Sequence, residues 1–407
     1  MSTTTAAEPV TVGGASATRR VLLVRLLLVV VALSAASSFV VLRAGAVPGG
    51  LGSFPLVETR QAPGPLPPGV TTRRTGYDGQ FYLRLAQDPF GDAEVSAGQR
   101  LDFPAYRQQR VGYPLLAWTA DRLPGVGPTL ALVLVNVLAV GAIAWFGSGL
   151  SRRAGRGSVP GALLALLPFT VVALARDTSE PVFVAALLAA FLALRDRRPV
   201  VAAAAVGVAV FTREQGLFAL AALFVAAWWA TDDSRPRVRR LAAPAAVAVA
   251  WVGWQAFLTA RWGDVPVLSG PPNGGLPFAG VLGIVRKDLG AATGHEVPLL
   301  IVAVLLAAAA PLWADWRPPS SLPALATAVR AVDAVALTWA TSLLLTVCLT
   351  KAVWVDPNAF ERATADVTSL AVVLLFAPGA RRWAAPASLV VLLAVTAYLV
   401  GQRVSGL

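Results

Sequence analysis

The sequence predicts an all-α polytopic membrane protein of about eleven transmembrane helices, counted as apolar windows long enough to cross the hydrocarbon. Three observations lead there. Hydrophobic residues fill 56% of the 407 positions and charged residues only 14%, a balance that ordinary soluble domains do not have. Apolar runs of roughly 15–22 residues recur along the chain, and a helix needs about 20 to cross a bilayer. The arginines fall in short segments between these runs, where topology signals belong. Inside lipid an open sheet would leave its edge groups unpaired, so strands are excluded from the spans.

In chain order, residues 1–18 are small and polar and are expected to form a disordered cytoplasmic tail, with residues 19–407 a single transmembrane domain. Arg19-Arg20 leads into a span at 21–43 that is too long for a signal-peptide core and lacks a cleavage site, so it stays as an anchor. Further spans are expected at 128–149, 159–175, 181–194, 199–212, 216–230, 241–260, 297–313, 331–350, 365–378 and 386–402. Between the first two lies a long loop, 44–127. Its Pro- and Gly-rich part, 44–72, reads as an extended strap. Residues 77–87 have helical rhythm, and 105–120 read as one interfacial helix with Tyr113 and Trp118 at headgroup level.

Charge gives an independent test of this alternation. Arg19-Arg20, Arg152-Arg153 with Arg156, Arg195 with Arg197-Arg198, Arg235 through Arg240, Arg317 with Arg330, and Arg381-Arg382 all fall on one side, which the positive-inside rule makes cytoplasmic. The amino terminus is then inside. The outer side receives the loop 44–127, the turns Arg176–Glu180 and Thr212–Gly216, the loop 261–296, and Lys351 through Arg362. That puts Asp78, Asp177, Glu180, Glu214, Asp356 and Glu361 together on the outer face.

Composition also excludes several functions. The net charge of +12 comes from arginines scattered between spans rather than from one basic face, so no nucleic-acid partner is expected. The lone Cys348 offers neither a disulfide nor a cysteine metal site, and a single histidine, His295, rules out a multi-histidine centre. Richness in Ala, Val, Arg and Gly is that of a GC-rich bacterial genome, which makes the expected location a bacterial plasma membrane.

The most informative stretch is Gly76-Tyr77-Asp78-Gly79-Gln80-Phe81-Tyr82, just outside the first span. A carboxylate among aromatics at the membrane surface suits a ringed substrate, with Tyr77, Gln80 and Tyr82 as supporting groups. Asp78 also stands where an Asp would cap the following helix, and the two roles are compatible. Asp177, Glu180 and Glu214 sit in tight turns at membrane depth, where ionisable residues mark function or pair with arginines. Arg107, Arg110, Lys351 and Arg362 run against the positive-inside bias and together are candidates for a phosphate or diphosphate close to the lipid headgroups, whereas each taken alone reads as a solvated or snorkelling side chain. Glu361, beside Arg362, completes the supporting set. Trp251, Trp262 and Trp354 read as interface anchors.

These pieces resemble a family. Tyr77-Asp78-Gly79-Gln80-Phe81-Tyr82-Leu83-Arg84-Leu85-Ala86 is similar to the first-loop motif of GT-C glycosyltransferases related to the phosphatidylinositol-glycan mannosyltransferases. Arg110-Val111-Gly112-Tyr113-Pro114-Leu115-Leu116, Thr178-Ser179-Glu180-Pro181-Val182-Phe183, Thr212-Arg213-Glu214-Gln215-Gly216-Leu217 and Glu361-Arg362 follow in that family's order. The resemblance implies a GT-C-like fold and an inverting hexosyl- or pentosyltransferase. The donor it implies is a polyprenyl-phosphate sugar, and the acceptor a glycan, lipid or protein of the cell envelope. It makes Asp78 the base, with Arg213, Lys351 and Arg362 at the donor phosphate. The loop lacks an Asp-Asp or Asp-Glu pair, so no metal ion or other cofactor is required. The alternative is a transporter or flippase of a lipid-linked sugar, which would use the same charged cavity without chemistry.

Overall fold

The computed structural model describes residues 13–229, 237–271, 273–280, 282, 296–314, 333–377 and 380–404. Most of the expected tail lies outside these residues, as do Arg235, His295, Arg317 and Arg330.

A long first helix, α1 (Gly13–Ala46), leads into the loop that carries α2 (Gly79–Gln87), α3 (Pro104–Gln108) and α4 (Gly112–Asp121). The bundle continues with α5 (Pro128–Arg153), α6 (Val159–Ala162), α7 (Pro168–Arg176), α8 (Glu180–Arg195), α9 (Pro199–Thr212), α10 (Gly216–Trp229) and α11 (Arg237–Trp262). It closes with α12 (Glu296–Ala314), α13 (Ala334–Val347), α14 (Lys351–Val355), α15 (Pro357–Ala363), α16 (Ala365–Leu375) and α17 (Ala384–Val404). Prolines at the first or second position start α5, α7, α8 and α9, where a missing N–H costs nothing.

Among the described residues, each expected apolar window overlaps helix, although the last residues of the window 331–350 lie beyond the end of α13 at Val347. The window 159–175 is bent by 40° between Val159–Leu166 and α7, because Leu167 turns to extended backbone ahead of Pro168. Among the described residues, four helices, α1, α5, α11 and α17, are long and apolar enough to cross a bilayer, and the bent pair would make a fifth. The others are shorter: α9, α10 and α13 have 14 residues each and α16 has 11. At 1.5 Å per residue these reach about 16–21 Å, less than the ~30 Å of hydrocarbon. The result is a helical membrane-type chain whose single large apolar cluster runs from Ala32 to Leu399.

The long loop differs from expectation in three ways. The segment 105–120 is two helices, α3 and α4, broken at Gln109–Val111. Gly112 opens α4 directly against α9, and a Cβ there would lie 2.7 Å from Thr212 Oγ1 and 3.0 Å from the Phe211 carbonyl. Tyr113 is fully buried instead of lying at headgroup level, with its hydroxyl donating to Leu132 O at 3.1 Å and accepting from Asn136 Nδ2 at 2.9 Å. The strap is only partly extended, since 3-10 turns at Gly50–Ser53 and Thr59–Gln61 flank a short parallel ladder that pairs Val57 with Thr72 and Glu58 with Arg73.

Trp354 also departs from its expected anchor role. It is buried against Phe360, with rings 5.1 Å apart, and its Nε1 donates to Leu349 O at 3.0 Å. Trp262 Nε1 donates to Gln108 Oε1 at 2.7 Å, tying α11 to α3.

Arginines lie at both ends of the bundle: Arg43, Arg176 and Arg403 close α1, α7 and α17 at the end that holds α15, and a second group gathers at the opposite end. Arg25 stacks 3.7 Å over Trp145 near the end of α5, Arg153 pairs with Asp196, and Arg156 caps the carbonyls of Phe376, Ala377 and Ala380 after α16. The 16 residues of α8 carry the chain from there to Glu180, roughly 24 Å away at the usual rise.

Candidate functional site: an arginine-lined cavity

Five segments meet at that other end: the start of α2, the α3–α4 break, the α7–α8 turn, the α9–α10 turn, and α15. Gly79 lets the first of them in. A Cβ at Gly79 would lie 2.2 Å from the Arg176 carbonyl and 2.9 Å from Pro55 Cα, so only glycine brings Asp78 onto the end of α7. Behind it, Tyr82 OH lies 3.1 Å from Ser179 Oγ and its ring meets Tyr113 edge-on, 5.3 Å between centroids. Gln80 is buried and accepts from the Glu58 backbone N–H at 2.9 Å, so it braces the strap. Neither Tyr82 nor Gln80 lines the cavity.

Asp78 stands at the N-cap position of α2 but makes no capping bond. Its carboxylate is drawn away by charge. Oδ1 accepts from Arg107 Nη1 at 2.9 Å and Oδ2 from Arg362 Nη1 at 3.0 Å. Burial alone would raise the Asp78 pKa, but Arg362, then Arg107 and Arg110, outweigh it and hold the carboxyl well below the usual range. The side chain is still 27% exposed, and that exposure is into the cavity.

The cavity has a volume of about 350 Å³, and its charged wall consists of Asp78, Arg107, Arg110, Arg213, Glu214 and Arg362. Each of these guanidiniums meets a carboxylate. Arg107 also pairs with Asp102, Nε to Oδ1 at 2.7 Å, and lies 3.9 Å over the Phe81 ring. Arg110 forms a fork with Glu214, Nε to Oε2 at 2.8 Å and Nη2 to Oε1 at 2.5 Å. Burial works against ionisation of Glu214, yet Arg110 brings its pKa down to about 2. Arg213 pairs with Glu180 Oε1, and its Nε donates to Gln215 Oε1 at 2.9 Å. The same Glu180 oxygen takes Arg362 Nε at 2.7 Å. Glu180 is wholly buried behind the wall, and its one oxygen holds both Arg213 and Arg362, which line the cavity. Tyr77 completes this face, with Arg362 Cζ 5.1 Å over its ring.

The expected site residues therefore divide into groups. Asp78, Tyr77, Arg107, Arg110, Arg213, Glu214 and Arg362 line one cavity, and Glu180 supports it. Lys351 opens α14, off the lining. Asp356 caps α15, accepting from Asn358 N at 2.9 Å. Asp177 and Glu361 are buried behind the site. Asp177 takes a left-handed conformation, φ 50°, at the end of α7, and both of its oxygens lack a hydrogen-bond partner among the described residues. Burial pushes its pKa well above the carboxylate range. The four arginines of the wall, all candidates for a phosphate, are each ion-paired as the structure stands. Residues that sequence reasoning passed over include Asp102, Tyr106 and Gln215 around the wall, and Asp366, whose carboxylate accepts from Ser342 Oγ at 2.6 Å. Asp102 and Gln215 carried a local signal: each lies within five residues of the arginine it binds.

Neither a family model nor a curated protein sequence matches the chain.

Burial raises the Glu361 pKa from 4.5 to about 8. Between those values the folded chain keeps a proton that the unfolded chain has lost, so stability should fall as pH rises through this window and level off above it. Thermal melting of the purified protein at pH 5 and pH 8 checks this. Glu361→Gln, which cannot ionise, should flatten the profile, and an unchanged slope would exclude Glu361 as its source.

Proposed function

We propose that the chain is a polytopic membrane glycosyltransferase of the GT-C type, with about eleven spans by the apolar-window count and its amino terminus in the cytoplasm. It transfers a hexose or pentose from a polyprenyl-phosphate donor to a glycan, lipid or protein acceptor on the outer face of a bacterial plasma membrane. What carries the reading is Asp78: a carboxylate on the wall of an arginine-lined cavity, at the bundle end opposite the helix termini that carry Arg152, Arg153 and Arg195. The positive-inside rule puts those termini in the cytoplasm and the cavity outside.

The chemistry follows from the groups present. The acceptor hydroxyl attacks the anomeric carbon of the donor sugar, forming the new C–O bond as the bond to the phosphate oxygen breaks. The hydroxyl proton passes to Asp78, a step worth about 10²- to 10⁴-fold. The departing phosphate gathers charge that guanidiniums stabilise without a metal ion. A single displacement of this kind inverts the anomeric configuration. Transport without chemistry would call for ionisable groups near mid-membrane, whereas even the buried Asp366 is only the second residue of α16, close to the same end.

The test is transfer of radiolabelled sugar from a panel of polyprenyl-phosphate donors in membranes with and without the expressed chain. Transfer that depends on the chain supports the enzyme and identifies the donor. Saturable donor binding without transfer from any donor replaces it with the lipid-linked sugar transporter.

A further inference from the structure

The arrangement around Asp78 raises a difficulty for its role. A carboxylate bonded to two arginines is a poor base, and an arginine cage already filled by carboxylates is a poor phosphate site. Both difficulties disappear if one carboxylate leaves when phosphate arrives. The three carboxylates that face these arginines from inside the site are not held alike. Glu180 is completely buried and its Oε1 is shared by Arg213 and Arg362. Glu214 grips Arg110 with two parallel bonds, the stronger geometry. Asp78 makes only a single bond to each of two arginines; its side chain is about as exposed as that of Glu214, 27% against 30%, so the bonding geometry is what sets it apart. Arg107 would keep Asp102, and Arg362 would keep Glu180, if Asp78 moved away.

We propose that Asp78 is the cavity's displaceable counter-ion: a lipid-linked phosphate takes its place on Arg107 and Arg362, and the displacement frees Asp78 to act on the acceptor. This rests on the phosphate-site reading of the cavity. The exchange conserves the contacts, because a phosphate offers each guanidinium the anionic oxygen that Asp78 withdraws. Released from two positive neighbours, the carboxylate regains basicity. Base release is thereby tied to donor occupancy, so the base is weak until a donor is present.

The consequence runs against the usual expectation for a catalytic residue. Removing the Asp78 charge should tighten donor binding, because the ligand no longer competes for Arg107 and Arg362. The measurement is the dissociation constant of a short-chain polyprenyl monophosphate, and of inorganic phosphate, for the purified full chain in detergent as wild type, Asp78→Asn and Glu214→Gln. Asp78→Asn should bind the lipid-linked probe at least about tenfold more tightly, with a smaller gain in Glu214→Gln, whose fork leaves Arg107 and Arg362 unchanged. A parallel gain for inorganic phosphate assigns the displacement to the phosphate group itself; a gain confined to the lipid-linked probe assigns it to the tethered ligand. Unchanged or weaker binding by Asp78→Asn with both probes overturns the proposal, as does an equal gain in Glu214→Gln, which would indicate net charge alone. Asp78→Ser serves as a second uncharged variant should the asparagine protein melt early. The outcomes separate from those of the transfer assay. Tighter binding with no transfer from any donor by the wild type keeps the counter-ion and removes the transferase.

Discussion

Asp78→Asn should lower sugar transfer by about 10²- to 10⁴-fold, the range that positioned general bases supply, while leaving the protein folded. The fold should tolerate the change because Asp78 makes no capping bond, and because Arg107 and Arg362 each retain a second carboxylate, Asp102 and Glu180. Asparagine also still offers one oxygen to these donors. The measurement is the transfer rate at saturating donor, with melting temperature as the control. Saturation matters, since a variant that binds donor more tightly would otherwise partly mask a lost chemical step. Wild-type rates from a folded Asp78→Asn protein would remove Asp78 from the reaction.

The helices were legible in the sequence because membrane helices follow from composition more than from tertiary context. The window 199–212 coincides with α9, and the prolines at its start and at the starts of α5, α7 and α8 mark boundaries by local chemistry. The charged turns were legible for the same reason: residues such as Asp177, Glu180 and Glu214 have no cheap place in an apolar chain. What local reasoning could not supply was the pairing. Adjacent Arg213 and Glu214 do not bond to each other. Arg213 reaches Glu180, 33 positions back, and Glu214 reaches Arg110, 104 positions back. Partner choice is set by how α3, α8, α9 and α15 pack, and no spacing rule encodes it. The break between α3 and α4 was missed on similar grounds. Gly112 was visible, but its reason, the close approach of α9 at Thr212, lies a hundred residues further along. Tyr113 misled because aromatics near a membrane surface are usually anchors, whereas here Asn136 and the Leu132 carbonyl satisfy its hydroxyl inside the bundle.

Glu180 is where the fold and the proposed chemistry depend on the same group. One buried carboxylate oxygen holds Arg213 and Arg362, and removing it leaves guanidinium charge, itself nearly buried, without its counter-ion. Glu180→Ala should therefore destabilise the protein by about 3–5 kcal/mol, the usual cost of breaking a buried pair from one side. Most of that cost should sit on Arg213. Arg362 retains Asp78, whereas the remaining polar contact of Arg213 is the neutral Gln215. This asymmetry makes the mechanism testable by a double-mutant cycle in detergent. Arg213→Met added to Glu180→Ala should recover part of the lost stability, because it removes the stranded charge and leaves an apolar side chain against Phe183. Equal or lower stability in the double variant would mean that the loss arises from the cavity left by Glu180 and not from the unpaired arginine. Glu180→Gln keeps an acceptor oxygen at the shared position and should fall between the wild type and the alanine variant in stability. Its donor affinity should still drop, since a neutral amide no longer fixes the two guanidiniums against each other at the cavity wall.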